Sequence, residues 1–308
     1  MSRYAVYLFG KFHATGDGQI LQGMDGGKVQ ELTSYLLLNR DSAYDRASLA
    51  ALLWEDNIGQ SLEYLHEALW QAERAIQTHN SHLVPLLLIS PECIQINNEI
   101  ELWLDAEEFE RAFALLKNVE VNRVPDDVAD ALRAAVALYN GGLLEGCHAP
   151  WCLYERERLQ NMYLVMLDTL MDYCEANHEY ELGLVYGAIL LQYDPTNEHT
   201  HAAMMRLYCQ IGDLVSAARQ YHRCTTTLME ELGAGPSSYT RTLYAQICGR
   251  LLKGQQLVTA EDRSLDTESN SLSVLSREIR GLQSILVDFQ RQILKNLRAI
   301  DRIFNGRS

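Results

Sequence analysis

Alternation opens the chain and helical periodicity takes over from it. Residues 4–9 read as a short strand, and Gly16-Asp17-Gly18 is a turn signal ahead of Ile20 and Leu21. Val29, Leu32, Tyr35, Leu36 and Leu37 then recur at helical spacing. Residues 47–54 suggest a second helix, and Leu62, Leu65, Leu69, Ala72 and Ile76 mark one face of a third. Two short apolar runs, 86–89 and 94–96, flank Ser90-Pro91-Glu92-Cys93 and read as a hairpin. Strands, three helices and a terminal hairpin predict an α+β winged helix over residues 1–105.

Residues 106–253 read as almost wholly helical, with breaks at 124–126, 140–142, 194–195 and 233–236. Residues 176–181 recur in character at 210–215, the 34-residue period of tetratricopeptide repeats, and the small residues Gly183 and Ala217 fall in register. This predicts an all-α helical-repeat domain, an architecture that stacks into a curved protein-binding surface. Residues 254–271 are polar and read as a linker. From 272 to 304 a heptad seam follows: Leu272, Leu275, Ile279, Leu282, Leu286, Phe289, Ile293, Asn296, Ile300 and Ile303. A stripe this long, with Asn296 as its one polar position, predicts a coiled coil that makes the protein a homo-oligomer. The mainly α architecture is therefore winged helix, helical repeat, linker and coiled coil.

Charge changes this picture. The chain carries 26 basic and 41 acidic residues, a net of −15. Residues 47–110 hold one base, Arg74, against twelve acids, while residues 274–308 hold seven bases and three acids. Arg277, Arg291, Lys295, Arg298 and Arg302 fall at the two positions farthest from the seam, which suits a solvated face or docking on an acidic surface, either nucleic acid or the first domain. No run of residues is long and apolar enough for a membrane span, and the start of the chain lacks the apolar run of a signal peptide. A cytoplasmic protein with no membrane association is the expectation. The seven cysteines are scattered and never form a Cys-x-x-Cys pair, so they read as buried thiols.

Little in the chain suggests catalysis, a cofactor or a metal. Gly23 to Lys28 lacks the phosphate-loop spacing, because Val29 follows the lysine. His199 and His201 diverge on a helix, and Cys147, His148 and Cys152 lack a fourth ligand. A non-enzymatic interaction protein is the expectation.

Linked motifs carry a family resemblance from Gly27 to about Leu243. They include residues 27–32, 35–40 and 52–54, then Trp103-Leu104-Asp105 with Phe109. The second part holds residues 137–146, Trp151, Glu155-Arg156-Glu157-Arg158, Asp194-Pro195, His201, Arg219-Gln220-Tyr221 and Glu231-Leu232-Gly233. Together these resemble the antibiotic-regulatory-protein type of bacterial transcriptional activator, a response-regulator-type winged helix followed by a bacterial transcriptional activator domain. The resemblance implies DNA binding by the third helix and recruitment of RNA polymerase as a dimer. It also implies packing roles for Trp54 and Trp103, both expected in the core.

The third helix departs from the family's pattern. His66 and Glu73 stand where the family would place arginines, and the wing turn has no base. The candidate contacts on this helix, to nucleic acid or to a partner, are Tyr64, His66, Glu67, Gln71 and Arg74. Its acidity disfavours DNA and points to a protein partner. On the helical domain, Trp151, Tyr154, Arg156, Arg158, Arg219 and Tyr221, with Tyr163, Arg206 and Arg223, are candidates for a partner surface.

Overall fold

The computed structural model describes residues 3–54, 58–79, 84–119 and 124–262. Two compact units divide the chain, residues 1–247 and 248–308. Of the second, the structure describes the last turns of one helix, through Asp262. The heptad segment 272–304 lies outside the described residues.

The first sheet is built from β1 (Arg3–Tyr7), β2 (His13–Gly16), β3 (Gln19–Ile20) and β7 (Glu101–Leu104), in the order β3-β2-β1-β7. The first three run antiparallel, whereas β7 returns parallel to β1. Between β3 and β7 lie α1 (Gly27–Leu38), β4 (Tyr44–Asp45), α2 (Arg46–Leu53), α3 (Ile58–His79), β5 (Leu87–Ile89) and β6 (Cys93–Ile96). The strands β4, β6 and β5 form a second antiparallel sheet. Three helices followed by a hairpin thus lie where the periodicity places them. The sequence reading did not include β4, β2 or β7.

Asp45 illustrates how local chemistry sets an element. It closes β4 opposite Cys93, and its carboxylate then accepts the backbone N–H groups of Ala47 and Ser48 at 3.1 and 2.8 Å to start α2. Trp54 ends α2, buried, with its indole N–H donating to Glu31 at 2.8 Å. Trp103 is not in the core as expected. In the β1–β7 register Val6 pairs with Leu104, and both face inward. Period two therefore turns Trp103 outward, half-buried, with its ring 4.9 Å from Tyr7.

The helical part comprises α4 (Asp105–Leu115), α5 (Asp126–Leu138), α6 (Pro150–Ala176), α7 (Tyr180–Tyr193), α8 (Glu198–Ile211), α9 (Leu214–Leu232) and α10 (Ser238–Asp262). A 3-10 turn, Leu116–Asn118, follows α4. Helix α10 runs past Gly254, where the sequence reading begins its linker. Sequential helices α6 to α9 pack on one another in a tetratricopeptide-like arrangement. The 34-residue register holds at the backbone, since His178 and Gly212 are both left-handed, at φ 62° and 89°. The register also puts Gly183 and Ala217 at buried positions. A Cβ on Gly183 would stand 3.0 Å from Leu207 and 3.2 Å from Cys174, so only a small residue lets these helices approach.

One continuous core joins the first sheet to the helices, running from Tyr4, Val6 and Leu8 through Leu65 and Phe109 to Leu170 and Leu207. At its centre, residues 8–10 meet the loop after α5. Gly10 N–H donates to Gly142, Leu144 N–H to Leu8 and Glu145 N–H to Gly10, at 2.9, 2.8 and 2.7 Å. The close approach requires glycine at 141, where a Cβ would stand 3.3 Å from the Cα of Gly10. Asp105, buried at the first turn of α4, grips the same strand end. Its carboxylate accepts Leu8 N–H at 2.8 Å and Phe9 N–H at 3.0 Å, as well as Ala106 N–H at 2.7 Å. Burial raises the Asp105 pKa, and the donors at Phe9, Leu8 and Ala106 pull it back.

Asp105→Asn is expected to cost about 2–4 kcal/mol, because an amide NH2 would face N–H donors that need an acceptor. Asp45→Asn, at an exposed cap where Asn serves nearly as well, should cost under about 1 kcal/mol. Urea midpoints of the two variants check the contrast.

His201 supplies a second buried anchor. Its Nε2 lies 3.0 Å from the Pro195 carbonyl and its Nδ1 2.8 Å from the Gln220 amide nitrogen. The ring thus donates from Nε2 and accepts at Nδ1, a neutral tautomer. Burial holds its pKa below the usual 6.5. The folded state therefore favours the neutral ring, and this contribution is present above pH 6.5 and lost as the pH falls below it. Melting temperatures from pH 7.5 to 5.5 should fall more steeply for the parent than for His201→Gln. Parallel curves would show that the ring does not titrate with unfolding.

Candidate functional site

Helix α3 buries Leu65, Ala68, Leu69, Ala72, Ala75 and Ile76. Its opposite side carries Glu63, Glu67, Trp70, Arg74 and Gln77 at successive steps of four and three, all exposed, with His66 and Glu73 beside them. Trp70 is 56% exposed, and the Arg74 guanidinium carbon stands 4.9 Å from its ring centroid. Gln71, half-buried at the edge, donates to Glu67 at 3.2 Å. His66 Nε2 lies 3.5 Å from Arg46, whose Nε donates to the Ser90 carbonyl of the hairpin at 3.1 Å.

Tyr64 serves another purpose. The Lys28 ammonium sits over its ring, Gln60 bonds its hydroxyl, and Trp54 meets it edge-on at 6.1 Å. Of the five contacts expected on α3, His66, Glu67 and Arg74 thus share the outward face. Gln71 borders it, and Tyr64 packs toward α1 and Trp54. The sequence reading missed Trp70. The helical wheel carried the signal, since Trp70 interrupts a stripe that is otherwise polar.

The charge of residues 47–110 is unevenly placed. Asp105 is buried, and Glu101 pairs with Arg3 at 2.9 Å. Glu107 and Glu108 pair with Arg111 at 2.7 and 2.6 Å, Glu107 also with Arg40, and Glu110 with Arg158. These five acids are held in other contacts. The outward side of α3 keeps Glu63, Glu67 and Glu73, and Glu92 is exposed in the hairpin turn. Arg46 lies one residue outside the window in which charge was counted, yet the fold sets it beside His66.

On the helical domain most candidates hold structure together. Arg156 donates to the carbonyls of Leu143, Leu144 and Cys147 at 2.8, 2.8 and 2.9 Å, fixing the loop that meets residues 8–10. Trp151 lies edge-on to Tyr35 of α1 at 5.3 Å, its indole nitrogen buried without an acceptor among the described residues. Arg158 bonds Glu155 and Glu110, and Arg206 bonds Glu175 at 2.7 and 2.8 Å. Tyr163 stacks on Tyr139 at 4.1 Å, and Tyr221 on Tyr244 at 3.9 Å. Tyr154, 68% exposed, remains open on α6, as do Arg219 and Arg223 on α9.

Among the described residues no group of three or more His, Cys, Asp or Glu side chains could hold a metal. Cys147 and Cys152 are both buried, and the hydrogen bond from Cys152 pulls the Cys147 thiol below its usual range. No helix of the described residues is long and apolar enough to cross a membrane.

Comparison with known proteins agrees with this layout. Residues 104–248 match the family described as the bacterial transcriptional activator domain. The regulatory protein AfsR of Streptomyces coelicolor is 28% identical over 225 residues, an alignment covering 67% of this chain and 22% of that protein. The chain thus spans about a fifth of the length of the curated relative it matches. Among solved structures, Mycobacterium tuberculosis EmbR, in complex with a low-affinity phosphopeptide, shares the fold with a TM-score of 0.65 at 18% identity. That match covers 81% of this chain and 66% of the other. The match over residues 104–248 and the similarity to AfsR support a regulator of the antibiotic-regulatory-protein type that carries a bacterial transcriptional activator domain.

Proposed function

We propose that this chain regulates transcription through protein–protein contacts, with the third helix of its winged helix serving a protein rather than the major groove. The outward side of α3 carries this reading. Affinity for duplex DNA comes largely from neutralised phosphates, and bases are read chiefly by Arg, Lys, Asn and Gln. Beside Gln77 and an Arg74 that lies against the Trp70 ring, the exposed side of α3 offers Glu63, Glu67, Glu73 and that large apolar ring. The helical repeats supply the broader surface usual for protein ligands. Residues 272–304 pair two or more copies through their heptad seam.

The family resemblance favours a second reading, a DNA-binding activator that recruits RNA polymerase as a dimer. Arg46 beside the helix and Arg74 on it would be its first phosphate contacts.

Fluorescence anisotropy of the full chain with random and upstream duplexes separates the two. At physiological salt, affinity weaker than about 10 µM is expected. Sub-micromolar binding with a steep salt dependence would establish the activator reading. Light scattering checks the oligomer: deleting residues 272–308 should reduce the assembly to monomers, and an unchanged mass would rule out the seam.

A further inference from the structure

We propose that the outward stripe of α3 docks a cationic amphipathic helix of a partner protein, with Trp70 as the apolar anchor and Glu63, Glu67 and Glu73 as the charged rim. This rests on reading α3 as a protein-binding helix and adds the chemistry of what it binds.

The anchor comes first. A tryptophan left 56% exposed at the middle of an outward helix face forgoes most of the burial such a ring can gain. The surface is not short of polar alternatives, since every other member of the stripe is polar. Tryptophan and arginine are also the residue types that dominate binding energy at protein interfaces. Arg74 at 4.9 Å from the ring limits the ring's rotamers before any partner arrives, which lowers the entropy cost of docking.

The rim sets the sign of the partner. Glu63 and Glu67 precede Trp70 by two turns and one, and Glu73 follows it by one. From Glu63 to Arg74 the stripe is about 16 Å long at 1.5 Å per residue, the contact length of a three-turn partner helix. Lysines and arginines on that helix would meet three carboxylates, while an acidic partner would be repelled. A second copy of α3 fits badly, because a two-fold contact would set the same carboxylates against themselves. Helix α3 offers no open backbone edge for an added strand. Ridge-into-groove packing of one helix along another is the geometry left.

The probe is a fluorescein-labelled 18-residue peptide with leucine on one helical face and lysine on the other, paired with a version in which glutamine replaces every lysine. Titrated with the full chain at physiological salt, the lysine peptide should bind and the glutamine peptide should bind at least tenfold more weakly. Trp70→Ala and the double variant Glu63→Lys/Glu67→Lys should each weaken binding of the lysine peptide about tenfold. Glu230→Lys/Glu231→Lys, the same charge change on the exposed end of α9, should leave it unchanged. All five positions tested for loss or retention are exposed beyond the core, and melting curves confirm that each variant folds.

Equal loss in both double variants, or none in Trp70→Ala, would reduce the binding to general attraction by an acidic chain and overturn the inference. A gain in affinity on deleting residues 272–308 would assign the face to the chain's own basic segment and overturn the external partner. Displacement of the peptide by duplex DNA would sink the protein-binding reading itself. Binding of neither peptide nor duplex would overturn only the partner chemistry.

Discussion

The architecture turns on one buried carboxylate. Asp105 sits where β7 becomes α4, and its oxygens hold the N–H groups of Leu8 and Phe9 at the end of β1. Those two residues have left the first sheet, so without Asp105 their donors would be buried with no partner, a cost of about 1–3 kcal/mol each. The same segment faces the loop after α5, where three backbone hydrogen bonds join residues 8–10 to residues 142–145. Arg156 secures that loop from the other side by capping three of its carbonyls. An acid and a base on different helices thus satisfy a stretch of irregular backbone that neither sheet nor helix could serve. The aromatic run of Phe9, Phe109, Tyr139 and Tyr163 fills the space beneath, with ring centroids 4.1–5.7 Å apart.

This construction gives the family motifs physical content. The pair Gly141 and Gly142 is present because the backbone of residue 10 and the side chain of Arg156 come too close for larger residues. Leu144 even accepts a left-handed backbone, φ 47°, to keep its N–H on Leu8 and its carbonyl on Arg156. Arg156 holds the loop that meets residues 8–10, and Trp151 packs on Tyr35 of α1, so both tie the later helices to the N-terminal elements. Those contacts account for both residues, whereas Tyr154, Arg219 and Arg223 face outward.

Long, periodic features were legible in the sequence. The three helices of the first domain, the hairpin after them and the breaks between the later helices follow from apolar spacing and from glycine and proline. The 34-residue register was legible as well, and its backbone counterpart is the left-handed pair His178 and Gly212. The strand β4 was not legible, because it has two residues and is defined by pairing with Cys93 and Ile94 far along the chain. Trp103 was misplaced for a related reason: its side of the sheet depends on a parallel register with β1 that no local pattern encodes. Arg156 and Arg158 could be found as charged residues, but their engagement with carbonyls and with Glu110 requires the fold.

Charge is the clearest case of a sum that misleads until it is distributed. Twelve acids against one base in residues 47–110 suggest a surface hostile to DNA throughout. The fold removes Asp105 into the core, sets Glu101, Glu107 and Glu110 against arginines from other elements, and leaves Glu108 paired with Arg111 of its own helix. It also brings Arg46 to His66. What survives on α3 is a smaller excess, but it is concentrated on the one face that a winged helix would present to the groove. Three exposed carboxylates within about three turns act at short range, inside the screening length of about 8 Å at physiological salt. Paired acids elsewhere are already neutralised locally and contribute little at that face. Local arrangement, more than the net charge of −15, is therefore what decides which kind of surface α3 can meet.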